Sequence, residues 1–306
     1  MTRILLTGAT GQVGWELARA LAPMGTIVSP PRTEFDLARP ETLAATVDEM
    51  KPDVIVNAAA YTAVDQAESD TAMAMAVNAD APHELAKAAR KLGALLVHYS
   101  TDYVYDGTKT DAYTEDDPVN PLSVYGKSKL AGDEAVRDSG ADHLILRTSW
   151  VYAARGKNFL LTMLRLAAER EQLRVVDDQT GAPSWSRLIA VSTGVALRQD
   201  IARRRDGTFQ SGVFNLTTGG AVTWFGFANA IINAARQHGV AMKCRDVVPI
   251  ATADYPLPAR RPANSRLSNA KIAKRYGLHL PEWQRCMQLC LAEVIADQRF
   301  PVMAAA

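Results

Sequence analysis

The stretch RILLTGATGQVG, residues 3–14, decides how the rest of the chain is read. RILLT, Arg3 to Thr7, is a β-rich run with no polar alternation, as a strand buried on both faces requires. It runs directly into Gly8, Gly11 and Gly14, spaced G-x-x-G-x-x-G. From Gln12 onward apolar residues recur at helical spacing: Val13, Leu17, Leu21 and Met24. Strand, glycine turn and helix stand in the order that a dinucleotide pyrophosphate needs. Small residues let the backbone approach the phosphates, and the helix N-terminus offers free N–H groups to negative charge. The glycine pattern alone is weak; its position between a strand and a helix makes it specific. The competing reading is a tight βα turn with no ligand.

The same rhythm continues outward from this turn. TIV (26–28) reads as a second strand, 40–50 as a helix, and DVIVNAAA (53–60) as a third strand. A helix over about 71–92 leads to ALLVHYST (94–101), and HLILRTSWVY (143–152) is a further strand. Strands and helices alternating in this way predict a Rossmann-type, doubly wound parallel sheet. Residues 1–152 would form a dinucleotide-binding domain completed by parts of 172–215. Residues 153–306 would mostly form a smaller α/β C-terminal substrate lobe with a discontinuous boundary. Ligands of such a sheet sit outside the carboxyl ends of its strands. The acid that an NAD-selective fold places at the end of the second strand is missing. Arg32 follows instead, suited to a 2′-phosphate, with Asp36 and Leu37 placed to flank the adenine. A solvated loop arginine is the alternative for Arg32.

Composition bounds the partners. The chain has 306 residues and a formal net charge of +1, which gives no footprint for nucleic acid or an anionic membrane. Arg203, Arg204 and Arg205 read as the solvated end of a helix. Three cysteines, Cys244, Cys286 and Cys290, with no CxxC and no histidine at zinc spacing, argue against a disulfide framework or structural zinc. The expectation is a cytoplasmic protein with no signal peptide and no membrane span.

The chemistry is carried by VYGKSK, residues 124–129. Ser123 follows a proline-broken loop and reads as an N-cap, which puts Tyr125 in the first turn and Lys129 on the same face. Upstream, Thr101 stands at the carboxyl end of a strand. A hydroxyl, a phenol and an ammonium then form a proton-handling set. A tyrosine near pKa 10 is a poor acid–base at neutral pH, and a nearby cation is expected to lower it.

With these motifs in place the chain resembles the extended short-chain dehydrogenase/reductase superfamily along essentially its whole length. Further stretches that carry the resemblance are DVIVNAAAYTAVDQAE (53–68), HYSTDYVYDG (98–107), RTSWVYA (147–153), DDQTGAPS (177–184) and YPLPARRPANSRL (255–267). By that resemblance Gly8, Thr10, Gly11, Gln12, Val13 and Gly14 line the pyrophosphate, and Asp36 and Leu37 the adenosine end. Ala60, Tyr61 and Thr62 pass beneath the cofactor. Thr101, Tyr125 and Lys129 are catalytic, with the last two also holding the cofactor. Asp102 and Trp150 touch a deoxysugar. The implied reaction is reduction of the C4 ketone of a dTDP-linked 6-deoxyhexose by NADPH or NADH. Such a nucleotide-sugar substrate calls for cations; one of Arg260, Arg261 and Arg266 is expected to meet the diphosphate, with Arg260 named as the substrate contact and the sequence not deciding among them.

One departure concerns metal. Some members dimerise around a magnesium ion held by three glutamates. Glu16 and Glu293 match two of those positions, but Arg187 occupies the third, where no oxygen ligand is available. The expectation is therefore no metal, and a monomer or weak homodimer. The dehydratases of this superfamily use an Asp-Glu pair after the strand-end threonine; Tyr103 follows Asp102 here, so the second carboxyl is absent. An epimerase with tightly held NAD, or a non-catalytic cofactor-binding regulatory subunit, stays open on sequence alone.

Overall fold

The computed structural model describes residues 1–297; the last nine residues assigned above to the substrate lobe, 298–306, lie outside the described residues. The chain opens with β1 (Thr2–Thr7), α1 (Gln12–Ala20), β2 (Gly25–Val28), α2 (Leu43–Met50) and β3 (Val54–Asn57). Helices α3 (Val64–Ala67), α4 (Thr71–Met75) and α5 (Ala81–Leu92) follow, with a π-helical turn, Ala76–Asp80, between the last two. Next come β4 (Leu95–Thr101), α6 (Val124–Asp138), β5 (His143–Thr148), β6 (Val151–Tyr152) and α7 (Phe159–Glu169). Then β7 (Gln172–Val176), β8 (Thr180–Gly181) and β9 (Ser184–Trp185) precede α8 (Ser186–Arg205). The described chain ends with β10 (Gly212–Asn215), β11 (Val222–Thr223), α9 (Trp224–Gln237), β12 (Asp246–Ile250), α10 (Ala270–Tyr276) and α11 (Trp283–Ala296).

Six of these strands form one parallel sheet in the order β10-β5-β4-β3-β1-β2. The order reverses at β1, so a crevice opens at the carboxyl ends beside it. Residues alternate across the sheet. Leu6, Val56, Val97 and Leu146 face α1 and α8, packing on Leu17, Leu21, Ile189 and Leu197. Leu5, Ile55, Leu96 and Ile145 face the other way, onto Leu43, Val47, Leu85 and Val136 of α2, α5 and α6. Both faces are covered, which is why the strands read as unbroken apolar runs. A separate core gathers Tyr152, Leu160, Leu164, Phe227, Ile231 and Leu291, with Cys286 and Cys290 among them. Among the described residues no helix is long and apolar enough to cross a membrane.

Three elements differ from their sequence reading. The run 143–152 is two strands, broken at Trp150, whose φ of 45° turns the backbone out of the sheet. The third strand ends at Asn57, leaving Ala58 to Ala60 as loop. The longest helix among the described residues, α8, was read only at its end, where Arg203 to Arg205 do form the last turn; it returns to the first half of the chain, against α1. Its buried positions include Ser186, Ser192, Thr193 and Asp200, so it lacks a clean apolar stripe.

The glycine turn is fixed by close approach. Gly8 has φ +68°, and a Cβ there would lie 2.8 Å from the Ala59 nitrogen. A Cβ at Gly14 would lie 2.0 Å from the Gly8 carbonyl oxygen. Gly14→Ala should therefore push α1 off the turn and destabilise the fold by about 1–3 kcal/mol, the usual penalty for overpacking. A thermal midpoint equal to that of the wild type would show that the turn is not packed as described.

Candidate active site

The carboxyl edge of the sheet gathers the residues expected to hold a dinucleotide. The Gly11 N–H donates to the Gly8 carbonyl at 2.9 Å, closing the turn. Gly11 is also the N-cap of α1 and supplies no side-chain cap, so the first N–H groups of that helix have no side-chain acceptor. Thr10 and Gly11 are exposed, Gln12 and Val13 half-buried. Gly8 and Gly14 let strand, turn and helix pack where no Cβ would fit, which leaves the uncapped N–H groups at the start of α1 open to an anion; these residues fit a dinucleotide. Asn158 Nδ2 donates to Gln12 Oε1 at 3.0 Å, tying the turn to the start of α7.

The loop Ala60-Tyr61-Thr62 is held from outside. The Tyr61 N–H donates to Asn78 Oδ1 at 2.9 Å, Asn78 Nδ2 donates to the Tyr61 carbonyl at 3.0 Å, and the same amide reaches Ser128 Oγ at 3.0 Å. Asn78 lies in the π turn, and π turns cluster at functional sites. The sequence reading missed it; one polar residue within an alanine-rich helical run was the available signal. The Arg32 Nε group lies 3.2 Å from Asp36 Oδ1, with 76% of the Arg32 side chain exposed. That contact uses Nε alone, so the Nη groups of Arg32 stay open to solvent. Leu37 is buried beside this loop, in the core under the sheet.

Thr101, Tyr125 and Lys129 come together where β4 ends and α6 begins. Ser123 Oγ accepts the Gly126 N–H at 3.1 Å and starts the helix as the sequence implied. The Tyr125 ring meets Tyr103 edge-on, with centroids 5.7 Å apart. Burial pushes the phenol up to about 12; the Thr101 hydroxyl beside it opposes the rise, and the Asp102 and Asp133 carboxylates add to it. Lys129 is 2% exposed, and burial brings its amine down to about 8, against the pull of Asp133. The expected lowering of the phenol by the ammonium is therefore not what this arrangement produces. The amine gives up its proton well before the phenol does, and carries no charge at the pH where the phenol would ionise.

Asp133 anchors the floor. Its Oδ2 accepts from Ser100 Oγ at 2.7 Å and from Arg147 Nε at 3.3 Å, while Arg147 also donates to the Tyr105 hydroxyl at 2.8 Å. Asp102 is buried next to Thr101, whose hydroxyl donates to its Oδ1 at 3.0 Å. Burial raises this carboxyl to about 6, opposed by the Ser265, Thr101 and Ser149 hydroxyls, and its Oδ2 has no hydrogen-bond partner. Trp150 lies flat on Trp224, with ring centroids 3.4 Å apart and planes 7° from parallel.

A cavity of about 930 Å³ adjoins this centre, between α7, β7, β12 and the segment 252–261. Arg261 and Trp224 line it; Arg261 sits beside Tyr103, and Trp224 stacks on Trp150. The three candidate arginines separate clearly. Arg261 forms a fork with Asp65 at 3.0 and 2.7 Å. Arg266 is spent on Asn264 and the Thr110 carbonyl. Arg260 lines the cavity, is exposed, and has no partner among the described residues. A second cleft of about 870 Å³ lies at the opposite edge of the sheet, lined by Thr2, Gly25, Asp53 and Asp142. Its two carboxylates are already engaged, Asp53 by the Arg3 N–H and Asp142 by Arg204, and ligands of such sheets bind at the other edge.

At the positions compared above with a magnesium site, the Arg187 guanidinium lies between two carboxylates. It is 3.1 Å from Glu16 Oε2 and paired with Glu293 Oε1. Among the described residues no group of three or more histidine, cysteine or carboxylate side chains is placed to hold a metal ion.

Comparison with known proteins gives the family. The model of the RmlD substrate binding domain family matches residues 1–296. A dTDP-4-dehydrorhamnose reductase of Burkholderia thailandensis is 54% identical over 96% of this chain and 100% of its own length. One from Salmonella typhimurium is 45% identical over 95% of this chain and 97% of its own. The solved dTDP-4-dehydrorhamnose reductase of Bacillus anthracis, in complex with NADP, superposes with a TM-score of 0.85 at 32% identity, covering 96% of this chain and all of that one. The chain belongs to the dTDP-4-dehydrorhamnose reductase family.

Glu16 is buried, so its charge depends on Arg187. Arg187→Ala should lower stability by about 1–2 kcal/mol, more than an exposed ion pair but less than a fully buried one, because Arg187 is itself partly exposed. A chemical denaturation midpoint unmoved by the substitution would show that the triad is ornamental to the fold.

Proposed function

We propose that this chain reduces the C4 ketone of dTDP-4-dehydro-L-rhamnose to dTDP-L-rhamnose, using NADPH or NADH, with Tyr125 as the proton donor. Family membership supports the substrate and the reaction. The observation that carries the proton assignment is placement: the first turn of α6 sets the Tyr125 phenol beside the Thr101 hydroxyl at the end of β4, and burial keeps that phenol protonated. A ketone reductase must start its cycle with the proton on the donor.

The reduced nicotinamide, when bound, supplies the hydride. The chain's own groups handle the rest. Thr101 donates a hydrogen bond to the ketone oxygen, its hydroxyl turning from Asp102. Tyr125 passes its phenolic proton to the forming alkoxide. Lys129, whose ammonium holds its proton less firmly, returns one to the phenolate, a downhill transfer. Asp102 and Trp150 bind the deoxyhexose, and Arg260, free at the cavity wall, meets the diphosphate with its fork. Gly8 to Gly14, Ala60 to Thr62, Asp36 and Leu37 hold the dinucleotide. Arg32 supports a preference for NADPH, and the bound NADP of the Bacillus anthracis relative points the same way. With Arg187 already pairing Glu16 and Glu293, no magnesium is required, which favours a monomer or weak homodimer.

Tyr125→Phe should lower oxidation of NADPH in the presence of dTDP-4-dehydro-L-rhamnose by about 10²–10⁴-fold while dinucleotide binding persists. Turnover at the wild-type rate would remove Tyr125 as donor. The wild type should consume one NADPH per product; an epimerase would form product with none consumed. Arg260→Ala should raise KM for the nucleotide sugar by about 10–100-fold with kcat little changed, the signature of a lost charge-assisted contact made equally before and during reaction. An unchanged KM would move the diphosphate elsewhere.

A further inference from the structure

His98 touches Lys129 and has no part in the reaction described so far. It is 0% exposed, on β4 three residues before Thr101. The parallel register places Thr7, Asn57 and His98 side by side across β1, β3 and β4. Their side chains form one row of hydrogen bonds. Thr7 Oγ1 accepts the Ala59 N–H at 3.2 Å and donates its own hydrogen to Asn57 Oδ1 at 2.7 Å. That leaves the Asn57 amide hydrogens facing the imidazole, with Nδ2 3.1 Å from His98 Nδ1. His98 Nδ1 must then be the bare, accepting nitrogen. Burial, with Lys129 and His143 nearby, holds the ring's pKa well below its ordinary range, so it is neutral and carries its one hydrogen on Nε2. That nitrogen is 3.3 Å from Lys129 Nζ and 3.8 Å from Asp133 Oδ1.

We propose that His98 is a positioning residue for Lys129: the Thr7–Asn57 row locks the imidazole in the tautomer that turns its Nε2 hydrogen toward the amine, and so sets the charge of Lys129 beside the cofactor. A protonated lysine there presents hydrogens to a hydrogen. A neutral lysine accepts the bond through its lone pair. The contact therefore favours loss of the lysine proton, acting with burial and against the carboxylate of Asp133. The remaining ionisable groups around the amine are already committed. Arg147, from β5, pairs with Asp133, and His143 Nδ1 lies 2.9 Å from the Ala141 carbonyl. Tyr125, from the same helix, holds its proton to higher pH than the lysine does. A lysine that parts with its proton readily is a better source for the phenolate left by reduction, and this step rests on the reading of Tyr125 as proton donor.

The first test needs no activity. In the ligand-free protein, ¹⁵N spectra of the histidine rings should show His98 with a protonated Nε2 and a bare Nδ1, and titration of the Lys129 side-chain resonance should show it losing its proton near 8. The opposite tautomer would overturn the proposal whatever the enzyme does. Asn57→Asp keeps the acceptor for Thr7 but offers a carboxylate to Nδ1, which should move the ring hydrogen to Nδ1 and leave Nε2 to accept from the ammonium. His98→Gln likewise can turn an oxygen to the amine. Both should raise the pH of the Lys129 transition by about one unit, the scale of a single hydrogen-bond change at a buried charge. The alkaline limb of the kcat profile should move with it, while KM for NADPH stays put. A lower kcat with the transition unmoved in both variants would reduce His98 to a packing residue and leave the Tyr125 assignment intact.

Discussion

A lysine amine buried at the junction of β4 and α6 is the constraint around which this structure is arranged. An ammonium removed from water is unfavourable by several kcal/mol unless groups around it compensate. Here Asp133 supplies the opposing charge, and is itself held by Ser100 and Arg147. The helix must lie very close to the strand ends for this to work. Two positions allow it: a Cβ at Gly126 would lie 2.3 Å from the Tyr103 carbonyl oxygen, and one at Gly132 2.1 Å from that of Asn78. The glycine in VYGKSK is thus what brings Tyr125 onto Thr101. The π turn that carries Asn78 shares this contact, so the loop Ala60–Thr62 and helix α6 are positioned by one another.

Much of this was legible in the sequence, because local patterns report local geometry. The glycine turn, the parallel strands and the Ser123 cap each follow from residues within one element and its neighbours. The Tyr125 and Lys129 pair followed from helical spacing alone. What periodicity cannot report is which distant surface a segment covers. Helix α8 lies against α1, and its buried serines, threonine and Asp200 look in sequence like a solvated helix. Asp200 is in fact enclosed, accepting from the Tyr276 hydroxyl at 2.7 Å and paired with Arg203. His98 was hidden for a related reason. A polar residue in an apolar strand gives no sign of what lies on the adjacent strand, and its meaning comes only from the register that sets it beside Asn57.

The arginines make the same point about charge. RRP and NSR sit within one proline-rich segment, and nothing in their spacing distinguishes them. Arg261 is taken by Asp65, 196 residues away in sequence, and Arg266 by Asn264 and a carbonyl, so only Arg260 is left for a ligand. Arg187 shows the converse. The sequence comparison showed a cation where an oxygen ligand was looked for; the structure shows that cation already lying between Glu16 and Glu293. A guanidinium there bonds both carboxylates and balances one of their two charges.

Trp150 shows how the two cores are coupled at the site. A bulky residue with φ near 45° is strained, by about 1–3 kcal/mol, and persists only where its surroundings fix it. They do so from the other lobe. The indole rests against Gly181 of β8, where a Cβ would come within 2.5 Å of the ring, and its far face is covered by Trp224 at the start of α9. Aromatic pairs left to themselves prefer offset or edge-on arrangements. This nearly parallel stack at 3.4 Å is therefore imposed by packing, with Phe159 closing against Trp224 from α7. The strain and the stack maintain each other: releasing the backbone at Trp150 would pull the ring off Trp224, and moving α9 would remove what holds the backbone. The end of the parallel sheet and the wall of the cavity of about 930 Å³ are in this way one mechanical unit, which the proposed reaction, needing sugar and acid–base groups in fixed register, demands.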